Sequence, residues 1–306
     1  MDPDLKGLEY PFPVKYIGLD IQKQPYQMAY MDLKPAHPNG KVVLLLHGKN
    51  FSGAYWKQTA SVLSDKGYRV VIPDQIGFGK SSKPLSFQYS FQQLAANTKK
   101  LLDTLGIAKT MVLGHSMGGM VAVRFTLMFP GTVTKLVLEN PIGLEDYKVK
   151  VPYQSVDALY AKELKQTVES LKKYELTSYY DNKWKPEYEE WLNLIAGWTL
   201  SKDYPVIAWN NALTTDMIMT QPVVYELSEI KAPTLLIIGQ RDRTALGKDL
   251  VSPEVKETMG NYPQLGRVTK AKIHNSELIE LEGIGHLPHI ESFDRFIQPL
   301  LAFLKD

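Results

Sequence analysis

Short apolar runs that alternate with amphipathic stretches dominate the pattern of the chain. The runs are rich in Val, Ile and Leu, which is typical of strands buried on both faces of a sheet. They cover residues 42–46, 69–72, 109–113, 135–138 and 234–238. Apolar positions at helical spacing predict helices at residues 54–65, 90–105 and 120–129. Because strands and helices alternate, we predict a mostly parallel sheet with helices on both faces, which is an α/β fold.

Three more strands complete a predicted sheet of eight. Residues 14–19 and 26–33 are expected to pair as a hairpin at the sheet edge, because prolines flank both runs. Residues 276–281 predict the last strand, with a helix over 255–272 before it and an amphipathic helix over 292–304 after it.

The alternation stops between residues 143 and 229, where helical patterns occur without a buried strand. This segment is crowded with aromatic residues, among them Tyr147, Tyr153, Tyr160, Tyr179, Tyr180, Trp184, Tyr188, Trp191, Trp198, Tyr204 and Trp209. We therefore predict a core domain of residues 1–142 and 230–306, with a helical cap of residues 143–229 inserted after the sixth strand. Most of these aromatic side chains are expected to pack within the cap, and some to line an apolar or aryl-lined pocket.

Composition narrows the class of partner more than it narrows the fold. The net charge of +2 is nearly balanced and the cations are scattered, so no nucleic-acid partner is expected. Cysteine is absent, which excludes disulfides and thiolate chemistry. No run reaches the roughly 20 apolar residues of a membrane helix, so no stable membrane insertion is expected. Residues 1–6 are too polar for a signal peptide. We expect a cytoplasmic protein, or a secreted one whose leader was removed.

Ser116 stands between the strand predicted at 109–113 and the helix predicted to follow it. The sequence Gly114-His115-Ser116-Met117-Gly118 gives a tight turn, because glycine two positions either side of the serine removes side chains that would clash. An isolated serine between glycines is usually an ordinary turn residue. A strand before it and a helix after it favour an exposed nucleophile instead.

Several motifs along nearly the whole chain resemble those of the α/β-hydrolase superfamily. They are His47-Gly48, the run from Asp74 to Ser81, Gly114-His115-Ser116-Met117-Gly118-Gly119, Gly239-Gln240-Arg241-Asp242 and Gly285-His286. That superfamily places its nucleophile, acid and histidine in this order along the chain. The resemblance therefore implies an eight-stranded sheet with a helical cap, a nucleophile at Ser116, an acid at Asp242 and a base at His286.

The resemblance also implies an oxyanion hole made of backbone N–H groups. Its donors are expected at Met117 and at the residue after His47-Gly48, which is Lys49. Asn50 is the alternative for the second donor. The ammonium group of Lys49 is expected to be a solvated surface charge, with an ammonium that faces the substrate as the sharper alternative. Trp56 is expected to help wall the pocket.

Other residues compete for the acid and base roles. Glu139 and Asp146 are the alternative acids, and Asp242 has the alternative role of a helix cap or an ion-pair partner of a neighbouring arginine. His289 is the alternative base, although its place in an apolar run favours a supporting role. The remaining four histidines divide into two pairs: His47 and His115, expected to be structural hydrogen-bonding groups, and His37 and His274, which have no ligand-spaced partner. No metal or cofactor is therefore expected.

The leading hypothesis for function is a serine hydrolase that cleaves carboxylic esters through an acyl-enzyme. Carbon–carbon bond hydrolysis of ring-fission diketones is the second reading, because hydrolases of that kind share Ser-Met-Gly-Gly but typically carry Asn where this chain has His115. Cofactor-free perhydrolase or haloperoxidase chemistry is a third. A ligand-binding receptor of the same fold is the alternative from a non-enzyme class. In each case the partner is expected to be a small molecule.

Overall fold

The strands form one mixed sheet in the computed structural model, which describes residues 2–49 and 51–305. Within these ranges eight strands pair in the order β1-β2-β4-β3-β5-β6-β7-β8. They are β1 (Val14–Ile21), β2 (Gln24–Leu33), β3 (Val42–Leu46), β4 (Arg69–Pro73), β5 (Thr110–His115), β6 (Val133–Glu139), β7 (Thr234–Gly239) and β8 (Ser276–Leu281). β1 and β2 are antiparallel, β2 also runs antiparallel to β4, and all other pairs are parallel. The predicted sheet and its edge hairpin are confirmed.

The central strands are buried on both faces, as their continuous apolar sequences require. Along β3, Leu44 and Leu46 belong to one hydrophobic cluster, whereas Val43 and Leu45 belong to the other. Because side chains alternate along a strand, these two clusters occupy opposite faces of the sheet.

Helices cover both of these faces. Their bounds are α1 (Lys57–Asp65), α2 (Phe91–Thr104), α3 (Met117–Met128), α4 (Val156–Glu163), α5 (Val168–Ser178), α6 (Glu189–Thr199), α7 (Tyr204–Thr220), α8 (Pro253–Glu257), α9 (Tyr262–Lys272), α10 (Pro288–Glu291) and α11 (Phe293–Lys305). Side chains of α2 and α3 pack in the first cluster, and those of α1 and α11 pack in the second. The sheet is therefore a layer between two layers of helices.

Two predicted helices are interrupted. The helix expected over 54–65 begins as a 3₁₀ turn, Gly53–Trp56, before α1. The helix expected over 255–272 is divided into α8 and α9 at Gly260, which has a φ of +67°. A Cβ there would lie 2.6 Å from the carbonyl oxygen of Arg243. Glycine allows the turn because it accepts a positive φ and has no Cβ to clash.

The segment between β6 and β7 is a helical insertion, as predicted. It contains α4, α5, α6 and α7, which contact one another mainly as the pairs α4–α7 and α5–α6. The division into a core domain and a cap domain at residues 143 and 229 stays a prediction. Within the described ranges, no helix is both long and apolar enough to cross a bilayer.

A carboxylate is buried inside the insertion. Glu175 of α5 is 3% exposed, and neither of its carboxylate oxygens has a hydrogen-bond partner among the described residues. Burial, together with repulsion from Glu189, raises the pKa of Glu175 to about 8. The folded insertion therefore favours the protonated form of this side chain.

The raised pKa of Glu175 makes stability depend on pH. A carboxyl group whose pKa is higher in the folded state than in the unfolded state stabilises the fold at low pH. That contribution is lost as pH rises from about 4.3, the ordinary value for Glu, to about 8. Glu175→Gln removes this titration, so we expect the variant to unfold at a higher temperature than wild type at pH 8.5 and at a similar temperature at pH 5.

Thermal unfolding followed by circular dichroism measures this difference. Glu190→Gln, at an exposed position of α6, is the matched control and is expected to leave the pH dependence unchanged. An equal effect of Glu175→Gln at the two pH values would contradict the buried, protonated carboxyl group.

Candidate active site

Ser116 lies on the sharp turn between β5 and α3, as the sequence predicts. Its φ is +55° and its ψ is −122°, a conformation that a non-glycine residue rarely adopts. A Cβ on Gly114 would lie 2.3 Å from the carbonyl oxygen of Gly118, and one on Gly118 would lie 2.2 Å from that of Leu46. The glycines are needed because the backbone of the turn touches itself and the end of β3.

Ser116, His286 and Asp242 form one hydrogen-bonded chain. His286 Nε2 lies 3.0 Å from Ser116 Oγ, and His286 Nδ1 lies 2.7 Å from Asp242 Oδ2. The three residues follow the carboxyl ends of β5, β8 and β7, which meet at one edge of the sheet. A carboxylate only accepts hydrogen bonds, so Nδ1 carries the imidazole proton and Nε2 faces the serine hydroxyl as an acceptor.

Asp242 is fully buried and is held in its ionised form by several donors. Burial opposes ionisation, but the neighbouring His286 and the hydrogen bonds that Asp242 accepts lower its pKa below the usual value. Thr244 N donates to Oδ1 at 2.7 Å, and Asn140 Nδ2 donates to Oδ2 at 2.8 Å.

Asn140 is a site residue that the sequence analysis missed. It directly follows β6, has a φ of +35°, and accepts a hydrogen bond from Gly239 N at 2.9 Å while it donates to Asp242. Its position at the carboxyl end of a central strand was the available signal. No local pattern shows that its amide faces the next strand.

The alternative acids and the alternative base lie elsewhere. Glu139 Oε1 accepts hydrogen bonds from His289 Nδ1 at 2.8 Å and from His289 N at 2.9 Å, so these two residues form a separate buried pair. Asp146 accepts from Lys148 N and from the hydroxyl of Tyr225 near the surface. These positions leave Asp242 as the carboxylate that contacts His286.

His47 holds the peptide group between Gly48 and Lys49, whose N–H is the predicted second oxyanion donor. His47 Nδ1 donates to Gly48 O at 2.8 Å, and His47 Nε2 accepts from Gln75 N at 3.0 Å. In a trans peptide the N–H points opposite to the C=O, so the N–H of Lys49 points away from His47. The alternative donor, Asn50, lies outside the described residues.

Met117 is the first residue of α3, so helix geometry gives its N–H no intrahelical acceptor. The positive end of the helix dipole stands at the same point. This amide is therefore suited to an anion next to Ser116, as the sequence analysis expects.

A cavity of about 910 Å³ opens above Ser116 beneath the insertion. Aromatic residues of the insertion line it, namely Tyr153, Tyr174, Tyr179, Trp198 and Tyr204. Others, such as Tyr188, pack within the insertion instead. Trp56 was expected to wall the pocket, but it is absent from the described lining and stacks on His289 at 4.4 Å between ring centroids.

The cavity is also more charged than the sequence analysis expected. Its described lining contains seven Lys and Arg side chains against four Asp and Glu side chains. Lys49 is among them: its side chain is only 13% exposed, and Nζ lies 3.8 Å from Glu163 Oε1 of α4. The expectation of a solvated surface charge at Lys49 is therefore wrong, because the insertion covers this part of the loop.

Tyr179, at the end of α5, brings the insertion into contact with the histidine. Its ring stacks on the His286 imidazole with a centroid distance of 5.0 Å and an interplanar angle of 21°. Its carbonyl oxygen accepts from Arg241 at 3.2 Å, and a Cβ on Gly285 would lie 2.2 Å from that same oxygen. Glycine at 285 thus permits the insertion to close against the histidine loop.

Within residues 2–49 and 51–305, no group of three or more His, Asp and Glu side chains is arranged to hold a metal ion. His37 and His274 therefore belong to no such group.

Known proteins share this architecture. The family model for the alpha/beta hydrolase fold matches residues 41–293. A structure described as a probable hydrolytic enzyme from Pseudomonas aeruginosa PAO1 superposes with a TM-score of 0.97 at 49% identity, covering 99% of this chain and 97% of that one. Lipase 1 of Psychrobacter immobilis is 26% identical over 86% of this chain and 77% of its own length. A 2-hydroxy-6-oxononadienedioate/2-hydroxy-6-oxononatrienedioate hydrolase of Paraburkholderia phymatum is 30% identical over 86% of this chain and 87% of its own.

Removing the Asn140 amide should weaken the fold in a pH-dependent way. Asn140→Ala deletes a donor to a charged carboxylate, so we expect the free energy of unfolding to fall by about 1–3 kcal/mol at pH 7. The loss of that donor also raises the folded-state pKa of Asp242. A depressed carboxyl pKa stabilises the fold above the unfolded value of about 3.9, and this contribution disappears as pH falls through the folded value. The loss should therefore be smaller near pH 3.5.

Urea unfolding at the two pH values provides the measurement. Asn97→Ala removes another buried amide, one that accepts from Gln93 and contacts no carboxylate in the described contacts, and should lower stability by a similar amount at both pH values. The same pH dependence in both variants would argue against the Asn140–Asp242 contact.

Proposed function

The chain belongs to the α/β-hydrolase fold family, and on that premise we propose that it is a serine hydrolase that cleaves carboxylic esters through an acyl-enzyme. The observation that carries the proposal is the hydrogen-bonded chain Ser116–His286–Asp242, which opens into a cavity large enough for a small to medium substrate.

In the proposed first half-reaction, Ser116 Oγ attacks the carbonyl carbon while its proton passes to His286 Nε2. The carbonyl oxygen becomes an oxyanion that accepts hydrogen bonds from the N–H groups of Met117 and Lys49, and one such donor is typically worth about 3 kcal/mol of barrier. Collapse of this intermediate breaks the bond to the alcohol oxygen. The His286 proton then goes to that oxygen, and the acyl group stays on Ser116.

In the second half-reaction, His286 takes a proton from a water molecule, and the oxygen of that water attacks the acyl-enzyme. Breakdown returns the proton to Ser116 Oγ and releases the carboxylic acid. Asp242 stays ionised throughout, because it holds the Nδ1–H of the imidazole in place and stabilises the imidazolium while it exists. The lowered pKa of Asp242, which burial opposes and its hydrogen bonds and His286 produce, suits that role.

The cavity supports a substrate with an apolar or aryl body and an anionic group. Aromatic and aliphatic side chains such as Trp198 and Ile207 suit the body. The excess of cations favours a negative group: Arg243 and Lys248, in the loop that follows β7, and Lys256, on α8, are lining residues.

Carbon–carbon bond hydrolysis of an anionic diketone is the second candidate function. The same excess of cations favours it, and one relative is named as a hydrolase of a dienedioate, which is a dianion. The residue at 115 favours the ester reaction, because the carbon–carbon hydrolases that resemble this chain typically have Asn at that position. Ligand binding without turnover is an outcome of the tests below.

Ser116→Ala should abolish turnover of short p-nitrophenyl esters. The alanine has no oxygen to acylate, so we expect kcat/KM to fall by at least about 10³-fold, to the level that the oxyanion donors alone sustain. Release of p-nitrophenol followed at 400 nm, together with mass spectrometry of Ser116 after a fluorophosphonate probe, measures both the rate and the acylated residue.

Ser61→Ala is the control, because Ser61 is a surface residue of α1 that donates only to the carbonyl oxygen of Lys57 in the described contacts. Equal ester turnover in wild type and Ser116→Ala would contradict the proposal. A ring-fission dienone is assayed beside the esters. Faster cleavage of the dienone than of the esters would favour carbon–carbon bond hydrolysis. Rapid labelling of Ser116 counts against a pure binding protein.

Reversing one cavity charge should change the preference for anionic substrates. We expect wild type to have a KM about three- to tenfold lower for an aryl ester that bears a distal carboxylate than for its neutral methyl-ester analogue. Lys248→Glu should remove that difference with little change for the neutral substrate.

Lys270→Glu, at an exposed position of α9 outside the described lining, is the matched control. The preference should also weaken between 0.05 and 0.5 M salt, because mobile ions screen partly exposed charges. No difference in KM between the two esters would rule out an anionic preference while leaving the ester reaction itself untouched.

A further inference from the structure

Hydrogen bonds hold both peptide groups that flank Gly48, the residue before the predicted oxyanion donor Lys49. His47 Nδ1 donates to its carbonyl oxygen at 2.8 Å, and its own N–H donates to the hydroxyl of Tyr55 at 2.9 Å. Phe51 N also donates to that carbonyl, at 3.3 Å. The backbone on either side of Gly48 therefore has little freedom to rotate.

The hydroxyl of Tyr55 continues into a second contact. Tyr55 Oη lies 3.0 Å from His115 Nδ1, and His115 Nε2 lies 2.8 Å from the carbonyl oxygen of His286. Gly48, Tyr55, His115 and His286 are all buried, so bulk water does not compete for these hydrogen bonds. One line of hydrogen bonds thus joins the loop after β3 to the loop that bears His286.

The two ends of this line fix the position of every proton in it. Gly48 N can only donate, and the carbonyl oxygen of His286 can only accept. Tyr55 must therefore accept from Gly48 and donate to His115 Nδ1, and His115 must carry its proton on Nε2. Burial and the nearby His286 and His289 keep the pKa of His115 well below its usual value, so the ring is neutral as this arrangement requires.

Rings packed around Tyr55 keep its hydroxyl in place. Phe51 stacks on it with a centroid distance of 5.0 Å, and His289 meets it edge-on at 4.7 Å. His289 is itself held by the buried Glu139. The buried Glu139–His289 pair, which the proposed reaction does not use, therefore helps to hold the Tyr55 ring in place.

We propose that Tyr55 is a positioning residue which, through His115, sets two loops relative to each other: the loop after β3, which carries the predicted oxyanion donor Lys49, and the loop that bears His286. The inference rests on the proposed serine hydrolase function. Tyr55 touches neither substrate nor reacting atoms in this role. It aligns the amide next to Gly48 with the base that serves Ser116, and this alignment matters most when the oxyanion forms.

The test compares Tyr55→Phe with Tyr147→Phe. In both proteins a buried tyrosine hydroxyl that accepts from a glycine amide is lost, since Tyr147 Oη accepts from Gly143 N at 3.2 Å. We expect Tyr55→Phe to lower kcat for the best p-nitrophenyl ester about tenfold, with KM within twofold of wild type. Tyr147→Phe should keep kcat within twofold, although both variants lose thermal stability.

An aryl trifluoromethyl ketone adds a readout that general destabilisation would not move. Ser116 Oγ adds to its carbonyl carbon, the proton passes to His286, and the ketone oxygen becomes an oxyanion. We expect Tyr55→Phe to weaken inhibition by this ketone about tenfold and to leave inhibition by the corresponding trifluoromethyl alcohol unchanged. The alcohol has no carbonyl group and forms no oxyanion, so its binding should not depend on the aligned amide.

His115→Asn is the second variant, in case Tyr55→Phe does not fold. The shorter amide keeps an acceptor near Tyr55 and loses the donor to His286. We expect kcat to fall at least threefold, and the double variant to lose less than the product of the two single losses, because both changes break one line of contacts.

Values of kcat and ketone inhibition within twofold of wild type in both single variants would overturn the positioning role and leave the ester reaction intact. A wild-type protein that hydrolyses no ester and forms no adduct with the ketone would instead overturn the proposed function, and the positioning role with it.

Discussion

The close approach of the turn at Ser116, the end of β3 and the backbone at Gly48 is the constraint on which the rest of the site depends. The turn at Ser116 touches the end of β3, and a Cβ on Gly48 would lie 3.0 Å from the Cβ of Ser116. Parallel strands β3 and β5 are neighbours in the sheet, so their carboxyl ends bring the two loops together without further contacts. The strained conformation of Ser116 fits here because glycine at 114 and 118 leaves out two side chains that would clash with the backbone of the turn and of β3.

Around this backbone contact each of four buried histidines has a defined hydrogen-bond partner on at least one ring nitrogen. His286 pairs with Asp242, His289 with Glu139, His47 with the carbonyl of Gly48, and His115 with Tyr55. A carboxylate oxygen accepts from Nδ1 of His286 and of His289, whereas backbone groups decide which ring nitrogen of His47 and of His115 holds the proton. Four neighbouring histidines therefore take four different roles without any of them being exposed.

Side chains of the insertion also contact the residues around Ser116. The Tyr179 ring stacks on His286, and the Glu163 carboxylate lies 3.8 Å from Lys49 Nζ in the lining of the cavity that Ser116 shares. The core loops supply most of the opposing cations, notably Arg241, Arg243 and Lys248. Ser116, Asp242 and His286 thus follow strands of the sheet, whereas much of the cavity lining comes from the insertion.

The sequence by itself determined the eight strands, the helical insertion and the turn at Ser116, because apolar periodicity and glycine spacing are local signals. It also placed Asp242 and His286 at strand ends that had to meet. Only the tertiary structure decided which histidine contacts which carboxylate, that Asn140 holds Asp242, that Trp56 lies beneath His289, and that Lys49 is covered. Those outcomes depend on strand register and on how the insertion packs against the core. Both arise from contacts between residues that are far apart in the chain, so no short stretch of sequence predicts them.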